Sequence, residues 1–211
     1  MIYIIKHKPY NNPVPKDYKE LLVGDLFQYN DLDNINELNP YINEATGLYH
    51  IWKNCKDNIV GLCHYRKFFW DKYGALTIKD AKEILKNYDI IIRKDVVFQR
   101  SIYKQLRMEF ENPDIYDKYY RRFCASIPGF EEFFDTDRFN NSEMFVCKRK
   151  TIEKYCKWLF PIVLPIVYEF IEKDAERVVN KRMIGHFVER LFSFWIQQNN
   201  LKSYRMEVSE I

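Results

Sequence analysis

The chain has 211 residues, 47% hydrophobic and 30% charged, and its 33 Lys and Arg nearly balance 30 Asp and Glu for a net charge of +3. Length and composition fit one folded domain over residues 1–211, and the balance of charge argues against a nucleic-acid surface. The first apolar run, Ile2–Ile5, is too short for a signal peptide, and the longest, Trp158–Ile171, falls below the ~20 residues that span a bilayer, so a cytoplasmic protein is expected.

Ile2–Ile5 reads as a buried strand ending at Lys6-His7-Lys8-Pro9, and Tyr18–Gln28 as weakly helical. Asn39-Pro40 offers a helix start, and Ile42, Ala45, Tyr49 and Trp52 then repeat at helical spacing as far as Asn54. Ile59–Cys63 is a second strand that runs into His64-Tyr65-Arg66-Lys67. Thr77–Asp80 resembles a capping box opening a helix through Lys86, and Asp89–Ile92 is a third strand. Ser101–Phe123 reads as one or two polar helices broken near Pro113, and Glu143–Cys147 as a fourth strand. Thr151–Ile171 is helical with a bend at Pro161 and Pro165, and a last amphipathic helix carries Ile184, Phe187, Val188, Leu191, Phe194 and Trp195 to Asn199-Asn200. Strands alternating with helices predict an α/β domain with a mostly parallel sheet, whose ligands sit beyond the carboxyl ends of the strands.

That rule marks His7-Lys8, His64-Tyr65-Arg66 and Arg93-Lys94. Cations converging with neutral imidazoles suit a pyrophosphate, because Arg offers a planar fork and Lys a point charge. Solvated strand-end charge is the plainer account of Lys67, Arg93 and Lys94. Aromatics reach 17% of the chain, which suits stacking on sugars but also a Tyr- and Phe-rich core. The five cysteines form no CxxC pair, and the four histidines lie far apart, so neither a disulfide framework nor a zinc spacing is present. Two Asp-x-Asp pairs, Asp31/Asp33 and Asp135/Asp137, match the metal-holding pair of many sugar-nucleotide enzymes, yet about one such pair is expected by chance. Neither follows an apolar strand, and His64-Tyr65-Arg66 stands where that pair belongs. No cofactor is therefore expected to be required, with Mn or Mg left open. Glu44, Glu143 and Glu189 are candidates for a general base, the last with Arg190 or Arg182 as an ion-pair partner in a purely structural alternative.

Several blocks occur in order: Lys6-His7-Lys8-Pro9-Tyr10, Asp33-Asn34-Ile35, Asn39-Pro40 through Glu44, Thr46, Tyr49 and Trp52-Lys53-Asn54, Val60–Phe69, Tyr88–Ile91 and Gly185 with Glu189-Arg190-Leu191. The series resembles a bacterial family of capsular and exopolysaccharide gene clusters, long labelled a domain of unknown function. Its members are described as glycosyltransferases, some of them β-1,3-galactofuranosyltransferases. The resemblance implies a GT-A-like fold and transfer of a hexosyl group from a nucleoside-diphosphate sugar, such as a UDP-sugar, to a glycan acceptor. That acceptor is expected to be lipid-linked, with peripheral contact at the inner face of the membrane. On this reading His7, Lys8, Asp33, Asn34, His64, Tyr65, Arg66 and Arg190 bind the donor, and Glu189 or Glu44 is the base of an inverting transfer. Two departures stand out: Lys67 replaces a second Arg, and Tyr103–Asp114 lacks histidine. A non-catalytic carbohydrate-binding or scaffold protein with the same fold is the alternative.

Overall fold

The computed structural model describes residues 1–9, 13–28 and 32–210, so Tyr10 and Asp31 lie outside the described residues. The chain starts in β1 (Ile2–Lys6), which runs parallel to β2 (Tyr18–Leu22). Tyr18–Gln28 is thus a strand followed by a 3-10 turn at Gly24–Leu26, where the sequence predicts a helix. The edge of β1 recruits it, and Tyr18 and Leu21 are buried there. The single helix expected over Asn39–Asn54 is two, α1 (Asn39–Ile42) and α2 (Ala45–Asn54), because Asn43 adopts φ 53°, ψ −129° between them.

Next come β3 (Ile59–His64), β4 (Lys67–Asp71) and β5 (Gly74–Ala75). Helix α3 (Ile78–Ile84) opens as predicted on Thr77, whose Oγ1 accepts from the Asp80 amide at 3.1 Å. After β6 (Ile90–Arg93) and the short β7 (Val96–Val97), α4 (Ile102–Arg107), α5 (Pro113–Ser126) and α6 (Phe130–Phe134) form a helical layer. The chain finishes with β8 (Arg138–Phe139), β9 (Phe145–Lys148), α7 (Arg149–Lys173), α8 (Met183–Gln198) and β10 (Ser203–Glu210).

Among the described residues eight strands form one sheet in the order β2-β1-β3-β9-β6-β10-β4-β5, and β7 pairs with β8 apart from it. The sheet is mixed, which corrects the mostly parallel sheet read from the sequence. β1 runs parallel to β2 and β3, and β10 to β6, but β9 is antiparallel to both its neighbours and β4 to both of its own. Only Tyr65 and Arg66 separate β3 from β4, too few residues for a parallel crossover, so the chain reverses there.

Alternation along the strands divides the core in two. Tyr3, Ile5, Val60, Leu62, Ile90, Ile92, Phe145 and Cys147 face the large layer made by α2, α5, α7 and α8. Ile2, Ile4, Cys63, Ile91, Met144 and Val146 face Phe68, Phe69 and α3. Helix α7 holds both prolines within one 25-residue element and buries Leu159, Phe160, Val163, Ile166, Val167 and Phe170 in the first core. The apolar run Trp158–Ile171 is thus mainly core, and among the described residues no helix is long and apolar enough to cross a membrane.

Gly61 sits where β1, β3 and β9 press closest: a Cβ there would stand 2.9 Å from Val146 Cγ2 and 3.0 Å from Ile2 Cγ1. Gly61→Val is expected to cost ~1–3 kcal/mol through overpacking, read from the midpoint of denaturant unfolding.

Candidate active site

The register of β1 against β3 pairs Ile5 with His64, so residues just past both strands emerge side by side. His7 and Lys8 follow β1; Tyr65, Arg66 and Lys67 follow His64. The His7 and Tyr65 rings meet edge-on at 5.1 Å, and the Arg66 guanidinium lies 5.1 Å from the Tyr65 ring centre. His64 shares the face of Val60 and Leu62, toward the layer containing α2. The break at Asn43 starts α2 anew, and Glu44, its N-cap, brings Oε1 to 3.6 Å from His64 Nδ1.

Arg182, the residue before α8, completes the ring. His7, Lys8, Glu44, His64, Tyr65, Arg66, Lys67 and Arg182 line a cavity of about 240 Å³. The side chains of Lys8, Arg66 and Arg182 make no ion pair or hydrogen bond among the described residues. A cavity of about 370 Å³ beside Trp158, Phe194 and Trp195 is larger but carries one cation, Lys154, so the chemistry points to the smaller one.

Carboxyl groups crowd behind this cationic mouth, each with a different proton affinity. Burial pushes Glu44 up, but His64, its own backbone amide, Arg182 and His7 outweigh it and hold the group below the usual carboxylate range. Burial raises Glu189 to about 7, with Glu44 and Glu109 adding to the rise and Arg190 and Lys67 opposing it. Glu143, beside the start of β9, is 2% exposed and accepts a bond from Tyr155 OH at 3.0 Å. Its burial, aided by Glu44 and Glu189, holds it well above the carboxylate range. Burial lowers His7, His64 and His186, the last to about 4 with help from Arg190 and Arg182. The surroundings therefore favour neutral imidazoles, the ionised form of Glu44 and the protonated form of Glu143, with Glu189 raised to about 7.

The structure gathers most, not all, of the predicted residues. His7, Lys8, His64, Tyr65, Arg66 and Glu44 line the cavity. Asp33 and Asn34 do not: Asp33 accepts from Tyr49 OH at 3.1 Å and pairs with Lys53 at 3.7 Å, while Asn34 bridges the Leu32 carbonyl and the Asn36 amide. Arg190 is 3% exposed and donates to the His186 carbonyl at 3.0 Å, to Glu189 at 3.0 Å and to Gln105 at 2.9 Å, so it braces Glu189 from inside. Glu189 keeps a 20% exposed side chain at the edge of its helix's apolar face. Arg182 and Lys67 were not assigned by sequence reasoning. Arg182 carried one unused signal, its place immediately before an apolar-periodic helix. Among the described residues no three or more His, Cys, Asp or Glu are grouped as metal ligands.

A family described as "Domain of unknown function (DUF4422)" matches residues 1–200. Among solved structures, the fold is similar to the apo structure of WbbM, a bifunctional glycosyltransferase, with a TM-score of 0.77 and 22% identity. That match covers 100% of this chain and 45% of WbbM, so this chain spans less than half of that protein. No curated protein sequence matches it.

A carboxyl whose proton affinity rises on folding leaves the unfolded chain to ionise first. Stability contributed below the ordinary carboxylate value is then lost as pH rises toward the folded value. The contribution of Glu143 to thermal stability is expected to fall as pH rises above the ordinary carboxylate value, while the histidines lowered by burial contribute in the opposite sense. Glu143→Gln, which has no proton to lose, should therefore lose less stability than the wild type over the same rise in pH. Calorimetric melting across that rise measures it.

Proposed function

The chain belongs to the DUF4422 family, and from that premise we propose that it transfers a hexosyl group from a nucleoside-diphosphate sugar to a glycan hydroxyl. The observation that carries the reading is the cavity itself, with Lys8, Arg66, Lys67 and Arg182 around one small volume and Glu44 as its one carboxylate among the described residues. Four cations facing one carboxylate leave an excess of positive charge, and a bound diphosphate would relieve their repulsion through charge-assisted hydrogen bonds. The fold shared with a glycosyltransferase supports the same reading, as do the His64-Tyr65-Arg66 and Glu44–Asn54 blocks. We extend the proposal to a GT-A-like, inverting enzyme of capsular or exopolysaccharide synthesis. It would use a UDP-sugar and a lipid-linked acceptor at the inner face of the membrane.

In this mechanism Glu189 takes the proton of the acceptor hydroxyl. The acceptor oxygen then bonds to the anomeric carbon as the bond from that carbon to the phosphate oxygen breaks. Negative charge developing on the departing diphosphate falls on Lys8, Arg66, Lys67 and Arg182, so the protein's own cations do the work that a divalent ion would otherwise do. A proton affinity near 7 suits Glu189 to that task. Glu44, ionised and set against His64, lines the donor cavity and orients the sugar.

Purified protein incubated with a panel of sugar nucleotides and a metal chelator should slowly release nucleoside diphosphate from one of them. Arg66→Ala should weaken that donor's binding about tenfold or more, from loss of ~1.5–3 kcal/mol of charge-assisted bonding. Unchanged affinity in a folded variant removes Arg66 from the site, and rescue of a chelated enzyme only by Mn or Mg removes the metal-independent mechanism.

Turnover should rise with pH through about 7 as Glu189 ionises. Glu189→Gln should abolish that rise and lower turnover ~10²–10⁴-fold with donor binding preserved. Loss of stability with proportionate loss of binding would instead make Glu189 a brace for Arg190.

A further inference from the structure

Asn43 is held in a backbone conformation that residues with a side chain avoid, φ 53° and ψ −129°, and it is 8% exposed. Such a conformation persists only where its surroundings over-determine it, and here they do so from two sides. From the α2 side, the Asn43 carbonyl accepts from Asn39 Nδ2 at 3.1 Å and from Thr46 Oγ1 at 2.8 Å. Asn39 Nδ2 also donates to Thr46 Oγ1 at 2.9 Å, closing a small buried ring of bonds. From the other side stands α8. A Cβ on Gly185 would lie 2.8 Å from Asn43 Cγ and 3.2 Å from the Tyr41 carbonyl, so glycine alone lets α8 approach this closely. Asn43 Oδ1 is buried without a hydrogen-bond partner among the described residues, so no bond to its own side-chain oxygen there explains the turn.

The turn has a directional effect. Had the helix continued through residue 43, α2 would extend the axis of α1 and Glu44 would follow that axis. Instead the chain turns, α2 begins again with the Leu48 amide donating to the Glu44 carbonyl at 3.0 Å, and the Glu44 carboxylate meets His64. We infer that Asn43 is a positioning residue: its strained turn, tied by Asn39 and Thr46 and admitted by Gly185, aims Glu44 at His64 in the cavity. The inference rests on the proposed function for its catalytic meaning and on geometry alone for its structural meaning.

The test separates the two. His64 faces Lys67, Arg93 and Arg66, which together with burial lower its proton affinity, and Glu44, which raises it. In Asn43→Ala the Glu44 carboxylate swings away, and the His64 imidazole, followed by NMR, should titrate at lower pH than in the wild type. Turnover should fall about 10²-fold, as expected for a misplaced site group, and by more than donor affinity changes. Asn43→Gly, at ease with positive φ, should recover much of both the titration and the turnover. If Asn43→Ala does not fold, Thr46→Val removes one tie while keeping the packed volume and should move His64 in the same direction by less. An unchanged His64 titration in folded Asn43→Ala or Thr46→Val, or an Asn43→Gly no better than Asn43→Ala, overturns the inference. A wild type that turns over no sugar nucleotide overturns the proposed function, while the His64 titration still decides the role of Asn43.

Discussion

Glu44, Glu143 and Glu189 lie within electrostatic reach of one another in a largely buried space, and there they cannot all carry charge. The mouth of the sheet is organised around that limit. Glu44 wins the negative charge because it alone borders the cationic cavity, with His64, Arg182 and His7 on its side. Glu143, two residues before β9 and with no cation among the charges that act on it, favours its protonated form and is anchored to Tyr155. Glu189 falls between, pulled down by Arg190 and pushed up by its neighbours. One carboxyl is therefore an anion, one a neutral acid, and one a group that exchanges its proton near neutrality. That gradation depends on the reversed direction of β9, which sets Glu143 at the end of the sheet where β3 and β6 deliver their cations.

Much of this was legible in the residues. Apolar runs located β1, β3, β6 and β9 to within a residue or two, and the rule that ligands lie past strand ends brought His7, Lys8 and His64–Arg66 together before any coordinates did. The polarity of the strands was not legible. Alternation reports which face a residue takes and says nothing of which way a neighbour runs, so β9 and β4 were free to reverse. β2 was missed for a related reason: Tyr18-Lys-Glu-Leu-Leu22 has no intrinsic strand signature and becomes a strand because β1 offers it an edge.

The unread parts of the site share one cause. Asp33 and Asn34 drew attention because they stand in a recurrent block, yet their bonds to Tyr49, Lys53 and the Leu32–Asn36 turn fix the loop leading into α1. Arg190 looked like a ligand for an anion, and it has one, but that anion is Glu189. A sequence motif preserves what a position needs without saying whether the need is for substrate or for scaffold. Arg182 is the converse case: its place before an apolar-periodic helix is legible, but it reaches the cavity through the way α8 packs on α1 at Gly185, which no local pattern announces.

The position of β10 bears on how this protein comes into being. It lies between β6 and β4, and among the described residues the strand pair β4–β5 joins the ladder of the rest of the sheet through β10 alone. β4 is synthesised long before Ser203–Glu210, so on the ribosome β6 and β4 each present an open edge until β10 is made. Contacts so distant in sequence close slowly, and unpaired edges invite pairing with other chains. The nascent chain thus passes through a stage in which its helical layer can assemble while its sheet stands in two pieces, and chaperone capture during that interval would protect it from aggregation.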